Sequence, residues 1–403
     1  MNSKSIKVNI LWNSIGSMSY LLFQWLITII ISRILGFDNA GIFSLAMSTT
    51  NIFTCIALFG IRNYQVSDVD GKYTDKMYIK NRIITCIIAI IICILFTVLL
   101  SLTLEQKISI IIYMLFRAAE SYADVLHGID QKVWRMDIVG KSYFLRGISM
   151  FLVTIIFITL THNIILTIMG MTFITTVIIF FYDNRRTNEF INVKNDNVNN
   201  NQLKLVLECL PFAIYLLMLN AMGSIPRLVL EQLKGSDMLG IYASIAAPTL
   251  IIQVFISYIF TPLVGIFADY RKNNEKNKFT KLFGRINAII IAIAAISLIF
   301  AYFFGDFVLK ILFGDKIIPY TYLLMPIILC TVLTAFSWFL CTILTVYREI
   351  KGLIVSNLIG LLIDLGISYP FIINYDLNGT SYSLIISLFI QILISFFYVL
   401  RKR

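Results

Sequence analysis

Arg117, Glu120, Asp124 and His127 stand at spacings of three, four and three inside an otherwise apolar stretch, which is the period of an α-helix. At about 100° per residue these four and Tyr113 fall within one arc of about 80°. Ile111, Met114, Leu115, Ala118, Tyr122, Val125 and Leu126 lie elsewhere on the helix. A guanidinium binds phosphate or carboxylate oxygens bidentately, so the flank has the chemistry to hold an anion or to pair with itself. In hydrocarbon a lone Arg or Asp at a helix centre costs roughly 2.5–3.5 kcal/mol on insertion scales, so such a face looks at water, a partner or a ligand. Two readings stay open. Arg117 pairs internally with Glu120 or Asp124 and holds helices together, or the face lines a substrate cavity; a pair that exchanges partners satisfies both. His127, near the end of the stretch, reads as a solvated boundary residue.

Other polar groups sit in apolar runs. Asn9, Asn13, Ser17, Tyr20 and Gln24 share one helical face near the N-terminus, either as interhelix glue or as partners for sugar hydroxyls. Asn220, Arg227 and Glu231 align on another, with Pro226 beside them, and Arg227 falls where it either snorkels to the interface or faces inward. Asp364 is mid-segment with Asn357 and Ser368 on its face and no cation near it in sequence. That marks it either as a proton or Na⁺ site for ion coupling or as a neutral hydrogen-bonded carboxyl. The six cysteines, Cys55, Cys86, Cys93, Cys209, Cys330 and Cys341, lack metal-ligand spacing and read as buried apolar residues. With two histidines and no ligand cluster, no cofactor and no metal are expected.

The elements that carry these residues follow from composition. Hydrophobic residues make up 59% of the chain and charged ones 14%, against about 25% charged in a soluble domain. Apolar runs long enough to cross about 30 Å of hydrocarbon recur throughout, at roughly 8–35, 40–62, 82–102, 108–127, 139–160, 163–182, 205–233, 239–265, 284–304, 320–346, 351–374 and 379–399. The expected fold is an all-α polytopic membrane protein of twelve transmembrane helices in two six-helix bundles with a central cavity. The first run follows Lys4 and Lys7, is too long for a signal-peptide core, and is read as an uncleaved span.

Lys and Arg concentrate on alternate loops. With a cytoplasmic N-terminus, only Arg33, Lys107, Arg227, Lys234, Lys310 and Lys316 fall on the outer side, which sets both termini inside. The +11 net charge is thus a topology signal, and no nucleic-acid partner is expected. The cytoplasmic loops holding Arg62, Lys72, Lys76, Lys80 and Arg82, and later Arg271 to Arg285, read as topology determinants beside anionic lipid or as a collar gathering an anionic head group. An Asn-rich polar segment joins the halves, giving an N-terminal six-helix bundle at 1–183, a cytoplasmic linker at 184–204 and a C-terminal six-helix bundle at 205–403. The halves echo each other. The corner Gly36-Phe37-Asp38-Asn39-Ala40-Gly41-Ile42 recurs as Gly235-Ser236-Asp237-Met238-Leu239-Gly240-Ile241, 199 residues on, and Asp68 and Arg82 are followed by Asp269 and Arg285. Gly36 fits a left-handed helix end, and Asp38 is placed to cap the next helix. Six being even, the second copy re-enters with the first copy's orientation, so a pseudo-twofold axis along the membrane normal and a cavity between the halves are expected.

These residues resemble a known family. Arg33-Ile-Leu-Gly36 through Gly41 and Ala46 is similar to the Arg-x-Leu-Gly…Gly signature of polysaccharide-biosynthesis flippases, the Wzx-type O-antigen and capsular members of the MOP exporter superfamily. Gly60-Ile-Arg62-Asn-Tyr-Gln-Val-Ser-Asp68, Ile311-Leu-Phe-Gly314 through Leu324, and Asp376-Leu-Asn-Gly379 resemble further stretches of that family, in order along the whole chain. The resemblance implies a flippase moving an undecaprenyl-diphosphate-linked oligosaccharide from the inner to the outer leaflet of the bacterial cytoplasmic membrane by alternating access. The implied partners are the lipid-linked glycan and membrane lipid, with a monomer that contacts polysaccharide assembly proteins. The implied cavity residues are Arg117, Glu120 and Asp124, then Arg33, Arg62 and Arg227; Asn13 and Gln24, from the polar face of the first span, join them as candidate substrate contacts on their own chemistry. Gln232 stands where the first corner has Arg33, so the cation is not duplicated between halves.

Independently, a diphosphate needs cations and sugars need aromatic and hydrogen-bonding side chains, and the chain has 20 Tyr. A multidrug exporter of the same superfamily is the nearer rival, but such exporters favour cationic drugs and acidic cavities. An enzyme, such as a membrane polymerase or glycosyltransferase, is disfavoured because every outer loop is too short for a catalytic domain.

Overall fold

The computed structural model describes residues 3–68, 71–191, 202–260 and 263–402. Among these the chain is helical with no strand, and it divides into two compact units, Met1–Asn220 and Ala221–Arg403. Eleven helices among the described residues are long and apolar enough to cross a membrane. A twelfth of similar length, Leu104–Lys132, carries the charged flank. The all-α polytopic expectation therefore holds.

In the first unit α1 (Ser3–Ile34), α2 (Gly36–Leu58), α3 (Ile61–Ser67), α4 (Asp75–Leu99), α5 (Leu104–Lys132), α6 (Met136–Thr161) and α7 (Ile164–Ile178) follow one another. A π-helical turn, Ile179–Asn184, extends α7 into the single turn α8 (Arg185–Thr187). The long α9 (Gln202–Lys234) starts in the first unit and ends in the second. There it leads to α10 (Ser236–Phe260), α11 (Val264–Lys272), α12 (Lys276–Phe313), a 3₁₀ segment at Asp315–Leu323, α13 (Leu324–Val346), α14 (Ile350–Tyr375) and α15 (Leu377–Lys402).

The boundary between units thus lies inside α9 rather than at 184–204; of that expected linker, residues 192–201 lie outside the described residues. Side chains of the first half of α9 explain the shift. Leu205 and Cys209 join Ile61, Tyr73, Met77, Tyr78 and Val125 in one buried cluster. Glu208 accepts hydrogen bonds from Lys72 Nζ at 2.6 Å, Tyr73 Oη at 3.1 Å and the Tyr64 hydroxyl. That carboxylate holds the Lys72 ammonium above its ordinary range. Asp68 closes the same loop, accepting from the backbone N–H of Lys72 at 2.8 Å and from Tyr78 Oη at 2.8 Å.

The two echoing corners fold alike. Gly36 and Gly235 have φ of 87° and 82°, the left-handed region that glycine enters without a Cβ penalty. Asp38 and Asp237 sit in the first turns of α2 and α10, where a negative charge meets the helix N-terminus. The capping role expected of Asp38 is corrected: α2 begins at Gly36 with Leu35 at the N-cap position, so Asp38 lies inside the first turn of the helix and is not its cap.

Two local features position the site. Phe59 and Gly60 both take positive φ, 47° and 64°, and split the expected 40–62 span into α2 and α3. The split lets α3 present Arg62 to α5. On the other side α1 and α6 touch backbone to backbone. A Cβ on Gly16 would lie 1.9 Å from the Gly140 carbonyl oxygen, and one on Gly140 would lie 2.1 Å from that of Trp12. Small residues allow such approach between membrane helices. Gly140→Leu is therefore expected to destabilise the first unit by about 3 kcal/mol or more, the scale of an overpacked core. Gly366→Ala, with open space at its Cβ, should change little. Thermal unfolding of the detergent-solubilised protein checks both, and equal midpoints for the two variants would refute the close approach.

A cation-rich candidate site in the first unit

A cavity of about 190 Å³ opens within the first unit. Tyr20 of α1, Thr54 and Leu58 of α2, Arg117, Glu120, Ser121, Asp124 and His127 of α5, and Tyr143 and Arg146 of α6 line it. Its volume is below the roughly 300–1,000 Å³ of pockets for drug-sized ligands, and suits a compact group.

Glu120 is the centre of one half of the site. Its Oε2 accepts from Arg117 Nη1 at 2.8 Å, its Oε1 accepts the Tyr20 hydroxyl, and Arg146 Nη1 stands 3.6 Å from Oε1. Arg117 Nε also donates to Thr54 Oγ1 at 3.2 Å, and Gln24 Nε2 donates to Tyr20 Oη at 3.0 Å. The Arg146 guanidinium lies over two rings, 5.6 Å from the Tyr20 centroid and 5.0 Å from that of Tyr143, so cation–π attraction fixes its plane.

Asp124 is the centre of the other half. Oδ1 accepts from Arg62 Nη1 at 3.0 Å and Oδ2 from Arg82 Nη2 at 2.8 Å. Arg62 is also tied to Gln131 Oε1 at 3.0 Å, and Arg82 to the Ala57 carbonyl at 2.8 Å. Behind the cavity wall, Asp183 of the π-helical turn meets His127 Nε2 at 3.0 Å and accepts from Ser142 Oγ at 2.9 Å. Counting Asp183 with Glu120 and Asp124, four guanidiniums face three carboxylates. Arg82 and Arg146 are wholly buried, and a buried charge is tolerated only with compensation. The surplus is cationic, so the group the cavity suits is an anion.

Of the residues singled out in the sequence, the structure brings together Arg117, Glu120, Asp124 and Arg62, with Gln24 behind Tyr20. The other four are elsewhere. Asn13 is half-buried on α1 without lining the cavity, and its carbonyl accepts from Ser17 Oγ. Arg33 is exposed in the last turn of α1. Arg227 and Asp364 belong to the second unit, the former half-buried on α9. The boundary role expected of His127 is corrected: it is buried against Asp183 because the π-helical turn brings that carboxylate under α5. Arg82, read as a loop cation, is likewise fully buried, since α4 starts earlier than the apolar run and carries it under α2.

Sequence reasoning missed Arg146, Tyr143 and Asp183. A single Arg in the middle of the apolar 139–160 run was the available signal, by the same cost argument that singled out Arg117.

Asp364, on α14, is fully buried. Its Oδ1 lies 3.4 Å from Ser368 Oγ and 3.3 Å from Ser387 Oγ of α15, and its Oδ2 has no hydrogen-bond partner among the described residues. Asn357 does not join it; that amide accepts from Gln391 Nε2 at 3.0 Å.

Comparison with known proteins fits this geometry. A relative from Staphylococcus aureus, the capsular polysaccharide biosynthesis protein CapF, is 28% identical over 387 residues, covering 94% of this chain and 95% of its own. An inward-facing multidrug resistance MATE family transporter of the MOP superfamily superposes with a TM-score of 0.73 at 15% identity, covering 98% of both chains. A MOP superfamily transporter from Pyrococcus furiosus, described as having a binding pocket of reverse polarity, superposes with a TM-score of 0.65 at 16% identity, covering 99% of this chain and 95% of its own. The family model for polysaccharide biosynthesis proteins matches residues 6–271. With that match over most of the chain and a MATE-like fold throughout, the chain belongs to the polysaccharide biosynthesis protein family, as a multi-pass membrane transporter and not an enzyme.

Proposed function

We propose that this transporter carries an undecaprenyl-diphosphate-linked oligosaccharide, an O-antigen or capsule repeat unit, from the inner to the outer leaflet of the bacterial cytoplasmic membrane by alternating access, with both termini cytoplasmic. The observation that carries this reading is the surplus of guanidinium over carboxylate around the cavity of the first unit. Arg117 and Arg146 line the cavity and Arg62 and Arg82 stand behind Asp124, so a diphosphate entering there meets bidentate donors on more than one side. A cationic drug would meet repulsion, which favours the glycolipid over a multidrug substrate. The lipid tail stays in the bilayer while the head group crosses, and of that head the cavity of the first unit seats the diphosphate, not the glycan. Arg33, Arg227 and Asn13 then act at other stages of the cycle or on the glycan.

Asp364 is the proposed coupling site for H⁺ or Na⁺. It is a buried carboxyl with one oxygen unpartnered and two hydroxyls beside the other, the type of oxygen ligands a hard cation or a proton takes. The working unit is proposed to be a monomer in contact with polysaccharide assembly proteins.

Deleting the chain should make completed single lipid-linked units accumulate facing the cytoplasm. Drug hypersensitivity with normal surface polysaccharide would favour an exporter instead. Arg117→Ala should abolish surface polysaccharide with the protein still abundant in the membrane, and wild-type polysaccharide in that variant would remove Arg117 from the site. Asp364→Asn should cut transport into vesicles driven by an H⁺ or Na⁺ gradient by about tenfold or more while leaving pyrophosphate binding in place. Unchanged gradient dependence would exclude Asp364 as the coupling group.

A further inference from the structure

Resting on the reading of the cavity as an anion seat, we infer that Glu120 is a specificity-determining residue: it fills the seat between Arg117 and Arg146 when substrate is absent, and a diphosphate displaces it whereas a singly charged head group does not.

The two halves of the site differ in how well their arginines are satisfied. Around Asp124 both guanidiniums make hydrogen bonds of ordinary length, and each has a second partner in Gln131 or the Ala57 carbonyl. Around Glu120 only Arg117 does. Arg146 reaches Glu120 at 3.6 Å, too long for a hydrogen bond; its buried Nε has no partner, and although the same is true of Arg82 Nε, Arg82 keeps two hydrogen bonds through its Nη atoms, to Asp124 and the Ala57 carbonyl. Its plane is nevertheless fixed by Tyr20 and Tyr143. A rigid, buried, under-bonded guanidinium at a cavity wall is a donor set waiting for a better acceptor, and Glu120 is a poor occupant of it.

What can replace Glu120 follows from charge. A phosphodiester monoanion brings the same single charge as the carboxylate it would displace. Its entry strips Glu120 of its cations in a buried place, which is unfavourable, and adds little in return. A diphosphate brings at least two charges and more acceptor oxygens. It can take the Arg117 and Arg146 forks together while Glu120 keeps the Tyr20 hydroxyl. The titratable and charged groups facing Glu120 are the neutral Tyr20 hydroxyl from α1, Arg146 from α6 and Arg117 from its own helix, with Asp124 and His127 further along the same wall. Bulk anionic phospholipids of a bacterial membrane carry mainly singly charged phosphodiesters, and this arrangement excludes them from a site built for a pyrophosphoryl group.

The test uses the full-length protein in nanodiscs of zwitterionic lipid, with inorganic pyrophosphate and dimethyl phosphate as probes and calorimetry as the readout. Wild type should bind pyrophosphate at least about tenfold more tightly than dimethyl phosphate. Glu120→Gln should bind dimethyl phosphate more tightly than wild type does, so that the preference falls by about tenfold. Tyr20→Phe, which only loosens the carboxylate, should lower the preference part of the way, and it decides the matter if Glu120→Gln does not fold. Competition by a short polyprenyl diphosphate in the nanodisc separates a lipid source of the diphosphate from a soluble one. If wild type binds pyrophosphate but the variants keep its preference, or if wild type has no preference, the role of Glu120 is overturned and the anion seat stands. If wild type binds neither probe, the anion seat falls and this inference with it.

Discussion

Each of the two cavity carboxylates is shared between two guanidiniums, and the rest of the first unit is arranged around that constraint. An arginine cannot shed its proton to escape a low-dielectric interior, so each one placed among membrane helices needs an anion or a polar wall within reach. Glu120 serves Arg117 and Arg146, and Asp124 serves Arg62 and Arg82. The sharing keeps four cations inside with a minimum of fixed negative charge, and so leaves a net positive cavity instead of a neutral one. A one-to-one pairing would be more comfortable for the fold and useless for attracting an anion.

The backbone meets this demand through departures from regular helix. The left-handed pair at Phe59 and Gly60 turns α3 so that Arg62 faces Asp124, and the helix end freed there leaves the Ala57 carbonyl open to Arg82 and to Thr85 Oγ1, each at 2.8 Å. The π-helical turn after α7 places Asp183 where His127 and Ser142 can reach it. The glycine contact between α1 and α6 brings the Tyr20 and Tyr143 rings to 5.4 Å and so frames Arg146. Aromatic framing matters because it orients a guanidinium without consuming its donors.

These departures also explain what was legible in the sequence. Helix number and charged flank followed from hydropathy and from a three-four-three spacing, which are properties of single segments, and the glycine corners followed from a repeat. Arg82 and His127 were misplaced because apolar runs mark the hydrocarbon and not the helix: each is the end residue of the run that revealed α4 or α5, but both helices continue past those ends, so residues read as boundary positions are held inside the packing. Arg146 carried a signal of its own, with Tyr143 three residues before it on α6, but its other partners, Tyr20 and Glu120, lie on α1 and α5, and no spacing within α6 points to them. The division inside α9 was hidden for a similar reason. The polar linker is conspicuous in composition, whereas the attachment of α9 to the first unit depends on Glu208 finding Lys72, Tyr64 and Tyr73 across a long stretch of chain.

The two units share the corner but not the chemistry of their interiors. In the second unit the buried polar groups are mostly amides and hydroxyls: Ser337 donates to Gln391 at 2.7 Å, Gln391 to Asn357 at 3.0 Å, and Tyr242 meets Ser381 at 3.0 Å, with two buried acids, Asp364 and Glu231, the latter accepting from Ser236 Oγ at 2.8 Å. Neutral networks of this type fix helix packing at small electrostatic cost, and a single carboxyl inside one is sensitive to a proton or small cation in a way that a carboxylate clamped between arginines is not. Duplication of a unit preserves backbone corners because glycine conformation and helix ends are needed by every copy. It leaves the interior free to diverge, since one copy with a cationic cavity suffices to hold an anion. The change from Arg33 to Gln232 at matching positions, and the absence among the described residues of a clustered arginine network around Asp364, are what that divergence leaves in the sequence and in the packing.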